Sequence, residues 1–595
     1  MTEADSKAVA PGDRGREETV TCDLLVAGSG AAGMTAAIVA RRLGLDVVIV
    51  EKEGVLGGTT ALSGGYLWVP NNAVNRDAGT VDTRDAARTY LQHEAGNQFD
   101  AERVEAFLEH GPRMVDFMQA NTHVRFEPSV AFSDYHPDAP GALPGGRSIL
   151  TQAVRASLLG KNLDRLRPPR PEMTLFGLTI GSGKELWHFY RATRLLGSAA
   201  YVARRLLRHG LDVVTHGRGM LLTNGNALAA RLYRTAMDLN IPVWFDSPVR
   251  SLVKGRDGEV VGAMVASPQG PRRIIARRGV VLACGGFPQN VARREELYPH
   301  AANANEHVSS ASPGNTGDGL RLGQSVGGKV VEGYPNHAAW APTSLVPRKD
   351  GTKGPFPHFI DRGKPGVIAV RRDGRRFVNE ANSYHDFIQA LSRATPAGEV
   401  IEAFLIADHR TIRRYGLGHV KPAPIPLGPS IRSGYLIRGA TLQELANNAG
   451  VDEAAFGETV ARWNADVPGG VDTAFGKGST AYNRFHGDPE VQPNPCLAPI
   501  ATGPFYAVRV IAGDIGTFTG LRADAHARVL DAEGRPIAGL YAVGNDMASV
   551  AGGNYVGGGI TLGPGMTFGY IAARHAAGKA ETGKAEAGRA ELAGT

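Results

Sequence analysis

The stretch DLLVAGSGAAGMTAAIVARRLGLDVVIVEKEGVLGG, residues 23–58, decides the fold of this 595-residue chain. Its apolar run from Leu24 to Ala27 is too short for a helix and is bounded by glycine, so it reads as a buried strand. Gly28-Ser29-Gly30-Ala31-Ala32-Gly33 follows and fits G-x-G-x-x-G. In that pattern Gly28 allows a tight turn, Gly30 lets the backbone approach a pyrophosphate, and Gly33 lets helix pack on strand. Met34 to Leu43 reads as an alanine-rich helix whose free N-terminal N–H groups and dipole favour a diphosphate. A second strand, Asp46 to Val50, ends at Glu51, where such a unit places a carboxylate on the ribose hydroxyls. A glycine-rich turn in an ordinary α/β unit is the alternative; strand, helix, strand and acid in order argue for the dinucleotide.

Length and composition bound the rest. A chain of 595 residues is too long for one core and suggests two to four domains. With 43% hydrophobic residues and 77 glycines it suits a large α/β protein with many tight turns. Lys and Arg (65) exceed Asp and Glu (58) only mildly, the excess is spread along the chain, and no nucleic-acid motif accompanies it. Cys22, Cys284 and Cys496 have no metal-ligand spacing and are too few for a disulfide framework, so no metal site and a reducing, cytoplasmic setting are expected. Residues 1–19 read as a disordered polar tail without a signal or transit pattern, and 578–595 as a low-complexity tail. No uninterrupted apolar run reaches transmembrane length.

Glu51-Lys52, then Gly57-Gly58-Thr59-Thr60 and Ser63-Gly64-Gly65, resemble the FAD form of this fold in the fumarate reductase and succinate dehydrogenase flavoprotein superfamily. In that superfamily these loops run along the flavin. The resemblance implies an α/β protein with a Rossmann-like, discontinuous FAD-binding domain and an inserted α+β catalytic cap domain. VVLACGGF (280–287) is similar to a second flavin fingerprint and would bring Ala283 and Gly285 to the cofactor. IPVWFDSPVRSLV (241–253) reads as strand, turn and strand, with Val249 on the cofactor side. Asn315-Thr316-Gly317-Asp318-Gly319 would contribute Asn315 and Asp318; GLYAVGN (539–545) resembles the last flavin signature and supplies Gly544 and Asn545. A final helix from about Thr561 to Ala576 would start beside the flavin, with Gly559, Ile560 and Leu562 there. The domains then read as 20–291 (FAD-binding, with a helical insertion at about 82–220), 292–499 (cap) and 500–577 (FAD-binding). The FAD would be held non-covalently.

The sequence offers no metal cluster, nucleophile elbow or P-loop, so the chemistry falls to the flavin, over which the protein must place a C–H bond. GGTTALSGGYLWVPNN (57–72), SDYHPDAPGALPGGRS (133–148), RRFVNEANSYHDF (375–387), FYAVRVIAGDIGTFTGL (505–521) and NYVGGGITLGPGMTFGYIAA (554–573) resemble the 3-ketosteroid dehydrogenases. The resemblance spans nearly all of residues 20–575. In the 1,2-dehydrogenases a C-terminal YPGPG loop supplies a tyrosine hydroxyl and a glycine N–H to the 3-keto oxygen. Here the loop is Tyr555-Val556-Gly557-Gly558-Gly559, with both prolines replaced and Tyr555 and Gly559 at the same spacing. Two donors aimed at a carbonyl stabilise the enolate formed by loss of an adjacent proton. Tyr384 matches the family tyrosine that removes that proton, and Tyr135, with His136 as the alternative, matches its support. The implied reaction is proton loss beside the ketone with hydride transfer from the next carbon to the flavin, giving an α,β-unsaturated ketone. An isolated tyrosine is more often half-buried packing than a catalyst; placement beside flavin and cap motifs sets Tyr555 and Tyr384 apart. Tyr66, Tyr334 and Tyr506 are further candidates for the pocket wall.

Competing readings remain in view. A fumarate reductase needs cationic clamps for two carboxylates and a strong proton donor, and the reductases' histidine and arginine are missing from AGDIGTFTGL and NYVGGG. A 3-ketosteroid 4,5-dehydrogenase, or a dehydrogenase of another cyclic ketone, fits the altered Tyr555 loop and the long segment 160–220. An electron-relay subunit would need an iron–sulfur or haem motif, which the sequence lacks. The expected substrate is a lipophilic ketone of steroid type, and a quinone suits the electron acceptor. Within 160–220, Leu186 to His209 interleaves Trp187, Phe189, Tyr190, Leu195, Leu196, Tyr201, Leu206 and Leu207 with five arginines. It reads as one amphipathic helix, either lying on a membrane surface or packed on its own domain or a partner subunit.

Overall fold

The computed structural model describes residues 18–298 and 306–579. The expected tails, 1–19 and 578–595, lie almost wholly outside the described residues. The first of two large sheets is built around the strand Glu18–Ala27. Parallel neighbours flank it, Val47–Val50 on one side and Gly270–Leu282 on the other. The parallel series continues outward to Val243–Trp244 and Pro536–Ala542. Strands covered on both faces need unbroken apolar runs, and Leu24, Leu25 and Val26 are fully buried, as is VVIV at 47–50. The central strand begins earlier than its apolar run, because Gly270–Leu282 pairs with it from Glu18 onward. The helix Ala31–Arg42 leaves its C-terminal end through the glycine turn and packs on the final helix, Leu562–Ala576. That packing is close: a Cβ on Gly569 would lie 2.5 Å from the Ala32 carbonyl oxygen.

The second sheet runs Lys353–Pro357, Thr343–Pro347, Phe505–Thr517, Glu402–Asp408, Val367–Val370. Its centre corrects the expected boundary at residue 500. Phe505–Thr517 pairs antiparallel with Glu402–Asp408 over seven positions, and also carries His307–Ser309 and Ala338–Trp340. By hydrogen bonding, 505–517 therefore belongs to the cap sheet, and the chain rejoins the first sheet only at Arg528–Leu530.

The expected helical insertion at about 82–220 divides in two. Its first part is integral to the site. Ser148–Thr151 pairs with Tyr66–Trp68 and Phe126–Pro128 in a small sheet, and helices Arg84–Ala95 and Ala101–Asn121 pack beside it. Its second part holds two separate helices, Lys184–Arg191 and Leu196–His216.

Candidate active site

One cavity of about 660 Å³ runs from the glycine turn at Gly28 to the tyrosines at 135, 384 and 555. At its first end Gly30 caps the helix Ala31–Arg42 in extended conformation, with no side chain of its own to bond the helix N–H groups. A Cβ on Gly28 would meet the Ala283 carbonyl oxygen at 2.2 Å, so only glycine lets the two strands' loops touch. At Gly30 the nearest atom to an added Cβ is Thr60 Oγ1, 3.7 Å away, and the space in front of the helix end is cavity. Open room before uncapped N–H groups is what a diphosphate requires. The Ala31 N–H is already taken, donating to Thr60 Oγ1 at 3.0 Å.

The remaining cofactor candidates gather along the same wall. Glu51 is 8% exposed, and burial raises its carboxyl above the ordinary range. It accepts from the Ser29 N–H (3.1 Å), the Ser29 hydroxyl (2.5 Å) and the Glu53 N–H (3.0 Å), so this turn holds the carboxylate in place at the cavity. Lys52 donates to Asp318 at 2.6 Å and Thr316 at 2.7 Å, which pairs two candidates with each other at the rim. The Asn315 amide donates to Thr59 Oγ1 (2.9 Å) and the Gly285 carbonyl (3.0 Å), tying three motifs together. Ala32, Gly58, Ser63, Gly64, Gly65, Val249, Ala283, Gly544, Asn545 and Leu562 also line the cavity.

Three candidates do not. Gly33 sits behind the turn, where a Cβ would be 2.3 Å from the Gly28 carbonyl oxygen, so its role is packing. Gly57 turns its N–H to Ser29 Oγ at 3.1 Å. Ile560 points its side chain into the core and its N–H back to Gly557. The sequence reading missed Asp546, which is fully buried and accepts from the backbone N–H groups of Cys284 (2.5 Å) and Gly286 (2.9 Å). It joins the second flavin fingerprint to the last one, and burial pushes its carboxyl up to about 6.

At the other end the three tyrosines meet. Tyr135 and Tyr384 share a hydroxyl–hydroxyl hydrogen bond of 3.0 Å. The rings of Tyr135 and Tyr555 stack at 5.3 Å, and Tyr384 meets Tyr555 edge-on at 5.1 Å. Burial pushes the Tyr555 phenol up to about 12, against hydrogen bonding from Tyr384 and from the Gly559 N–H. Tyr384 and Tyr135 are raised well above the ordinary phenol value, first by burial and then by their tyrosine neighbours. Tyr384 opens the helix Tyr384–Ala394, whose N-cap Ser383 accepts from the Asp386 N–H at 3.1 Å.

The glycines of the Tyr555 loop are there for contact. A Cβ on Gly557 would be 2.4 Å from Trp68, on Gly558 2.2 Å from Phe132, and on Gly559 2.4 Å from the Tyr66 carbonyl oxygen. His136, the alternative to Tyr135, faces elsewhere: it bridges Glu94 (2.8 Å) and Asp386 (2.9 Å). Tyr66 lines the cavity and stacks on Phe132 at 4.9 Å. Tyr334 donates to the Ser549 carbonyl and Tyr506 meets His409, both outside the cavity wall. Tyr482, 4.7 Å from the Tyr135 ring, was not legible in advance; it lies in AYNRFHGD (481–488), an aromatic stretch outside every motif.

An FAD binding domain family matches residues 23–562. The chain is 36% identical to 3-oxosteroid 1-dehydrogenase of Mycobacterium tuberculosis, over 94% of this chain and 98% of the relative. It belongs to the 3-ketosteroid dehydrogenase family of FAD-dependent flavoproteins. It is 41% identical to 4-oxocyclohex-2-ene-1-carboxylate 5-dehydrogenase of Sinomonas cyclohexanicum, over 94% of this chain and 95% of that one. Among solved structures it resembles 3-ketosteroid Δ1-dehydrogenase from Sterolibacterium denitrificans in complex with 1,4-androstadiene-3,17-dione. The TM-score is 0.87 and the identity 37%, with 94% of this chain and 99% of that chain covered. The protein is thus an FAD-dependent dehydrogenase of the steroid and cyclic-ketone kind, acting on CH–CH bonds.

In this family member the segment Leu186–His209 is broken at 192–195 instead of forming one helix. Arg191 and Arg194 ion-pair with Glu490 of the cap, at 3.0 and 2.5 Å, which fixes the break. Leu186, Trp187, Phe189, Tyr190, Val202 and Leu206 line the cavity, while Leu196, Leu207 and Val214 are exposed. Among the described residues no helix is long and apolar enough to cross a membrane.

Proposed function

We propose that this enzyme introduces a C=C bond beside the keto group of a cyclic ketone, with 1,2-dehydrogenation of a 3-ketosteroid as the leading case. The observation that carries the reading is the meeting of Tyr135, Tyr384, Tyr555 and the Gly559 N–H at one end of the cavity whose other end is the dinucleotide cradle. FAD, when bound, supplies the two-electron acceptor. The Tyr555 hydroxyl and the Gly559 N–H would hold the ketone oxygen and stabilise charge as it gathers there. Tyr384 would take the α-proton. Its phenol is held above the ordinary range by burial and by its tyrosine neighbours, so it would act as a base only as the phenolate, once its own proton has left to solvent. The Tyr135 hydroxyl, which donates to Tyr384 at 3.0 Å, would stabilise that phenolate.

A monocyclic oxo-acid is the second substrate reading, favoured by the 41% identity to an enzyme named for such a compound. The deciding experiment is anaerobic bleaching of the yellow flavin band by 3-ketosteroids and by 4-oxocyclohexanecarboxylate, with product identification. Bleaching by dithionite alone, with colour restored by fumarate, would overturn the proposal in favour of a reductase.

A further inference from the structure

Beyond the tyrosines, the cavity wall holds polar groups that the proposed chemistry does not use. His486 is 7% exposed and lines the cavity, yet neither ring nitrogen has a hydrogen-bond partner among the described residues. Its ring packs on Tyr482 (4.7 Å), Phe485 (5.2 Å) and Phe132 (6.1 Å), and burial, then the nearby Lys364 and Arg362 charges, hold its imidazole well below the ordinary value. A buried polar group without a partner is costly, and one that faces a cavity points to a ligand.

Two lysines line the same cavity. Lys364, 2% exposed, donates to the Gly487 carbonyl at 3.0 Å and lies over the rings of Trp187 (4.7 Å) and Tyr190 (4.9 Å). Lys421 lies over Phe356 at 5.6 Å. Both line the cavity, and neither has a carboxylate within 4.0 Å among the described residues. The acids nearby are committed elsewhere. Asp361 accepts from His358 (2.6 Å) and the Gly418 N–H (2.9 Å); Asp488 accepts from Arg414 and Tyr415, each at 2.6 Å. Aromatic faces and one carbonyl soften the burial of the two ammonium groups but do not neutralise them.

We propose that His486, Lys364 and Lys421 form an anion subsite that receives a carboxylate carried by the substrate away from its ketone. The inference rests on the reading of this cavity as a cyclic-ketone site and narrows it to keto acids. Tyr482 links the two ends: its ring is 4.7 Å from Tyr135 and 4.7 Å from His486. A ring system lying along Tyr482 would present its ketone to Tyr555 and its acid to His486 and to Lys364, whose ammonium donates to the carbonyl of Gly487, the residue after His486. Each charge-assisted hydrogen bond at such a site favours the acid over a neutral isostere by about 10- to 100-fold.

The test uses the purified flavoprotein in two arms. In the first, cyclohexanecarboxylate and cyclohexanecarboxamide, which carry no ketone, are titrated while the flavin absorbance is followed, with equilibrium dialysis as the direct measure of binding. The carboxylate should bind at least about 10-fold more tightly, and equal affinity would overturn the subsite. In the second, kcat/KM for 4-oxocyclohexanecarboxylate is compared with that for its methyl ester. The acid-to-ester ratio should fall at least about 10-fold in Lys364→Met and His486→Phe; an unchanged ratio in both, at full flavin content, would also overturn it. If no cyclic ketone bleaches the flavin, the proposed function fails, and the binding arm still decides the anion subsite.

Discussion

Replacing Tyr384 with phenylalanine removes one hydroxyl and keeps the ring in its packing against Phe359 (4.9 Å), Tyr555 (5.1 Å) and Tyr135 (5.6 Å). The hydrogen bonds lost are the 3.0 Å contact with Tyr135 and the one with Tyr555. A buried hydrogen bond contributes about 1 kcal/mol net, a small part of the roughly 5–15 kcal/mol that holds a domain together. The variant should therefore fold and retain its FAD. Catalysis should suffer far more, because general-base catalysis contributes about 10²- to 10⁴-fold, or roughly 2.7–5.5 kcal/mol in the barrier. The assay is single-turnover bleaching of the flavin by a reducing ketone under anaerobic conditions, which isolates the chemical step from product release. Tyr135→Phe should also lose turnover, since the Tyr384 phenolate would then lose its hydrogen-bond donor. The double variant should lose little more than Tyr384→Phe alone, as Tyr135 acts on the proton only through Tyr384. A Tyr384→Phe rate within about threefold of the original would refute the base assignment. Additive losses in the double variant would refute that dependence.

Gly559→Ala would place a methyl 2.4 Å from the Tyr66 carbonyl at φ +100°, displacing the N–H proposed to hold the ketone; turnover should fall about 10²- to 10³-fold, measured beside flavin content. Asp546→Asn removes one of two acceptors for the Cys284 and Gly286 N–H groups. It should cost about 1–3 kcal/mol, read by urea unfolding, and should weaken FAD retention. Arg147→Met would strand the buried carboxylates of Asp82 and Asp134, at a cost of about 3–5 kcal/mol in the same measurement. Burial alone would lower the His136 imidazole, but Asp386 and Glu94 reverse this and push it up to about 10 from 6.5. A raised folded-state value stabilises fully below pH 6.5, and that stability is lost as pH rises towards about 10. The melting-temperature difference between the original and His136→Gln should accordingly shrink across that window; a constant difference would contradict the assignment.

The dinucleotide unit was legible because local geometry dictates its residues. Gly28 must be glycine for the turn to touch Ala283, and Gly30 brings no side chain to the helix start. Gly57 and Ile560 lie off the cavity wall because their surroundings come from other segments. The strand Phe505–Thr517 was placed with the flavin signatures that follow it, since a buried apolar run does not say which sheet it enters; its pairing with Glu402–Asp408 does. Tyr135 and Tyr384 are 249 positions apart in the chain, and only the resemblance to a family brought them together in advance. Tyr482 and His486 carry no motif, so their place in the cavity wall could appear only with the fold.

The Tyr555 loop shows how this chain manages without the two family prolines. Proline restricts a loop through its own φ angle; here neighbouring segments do it instead. The Val556 carbonyl accepts from the Tyr135 N–H (3.0 Å) and the Tyr90 hydroxyl (2.7 Å), the Gly558 carbonyl from Ser148 (2.8 Å), and the Gly559 carbonyl from the Trp68 N–H (3.1 Å). These donors come from the small three-stranded sheet and the segments beside it, which is why the part of 82–220 nearest the site is structural to it and no mere appendage. Tyr135 stands at the junction: its backbone N–H holds the loop that bears the proposed ketone donors, and its hydroxyl donates to Tyr384, the proposed base. Both contacts come from one residue, so displacing the 133–136 turn should impair turnover while leaving the dinucleotide cradle intact.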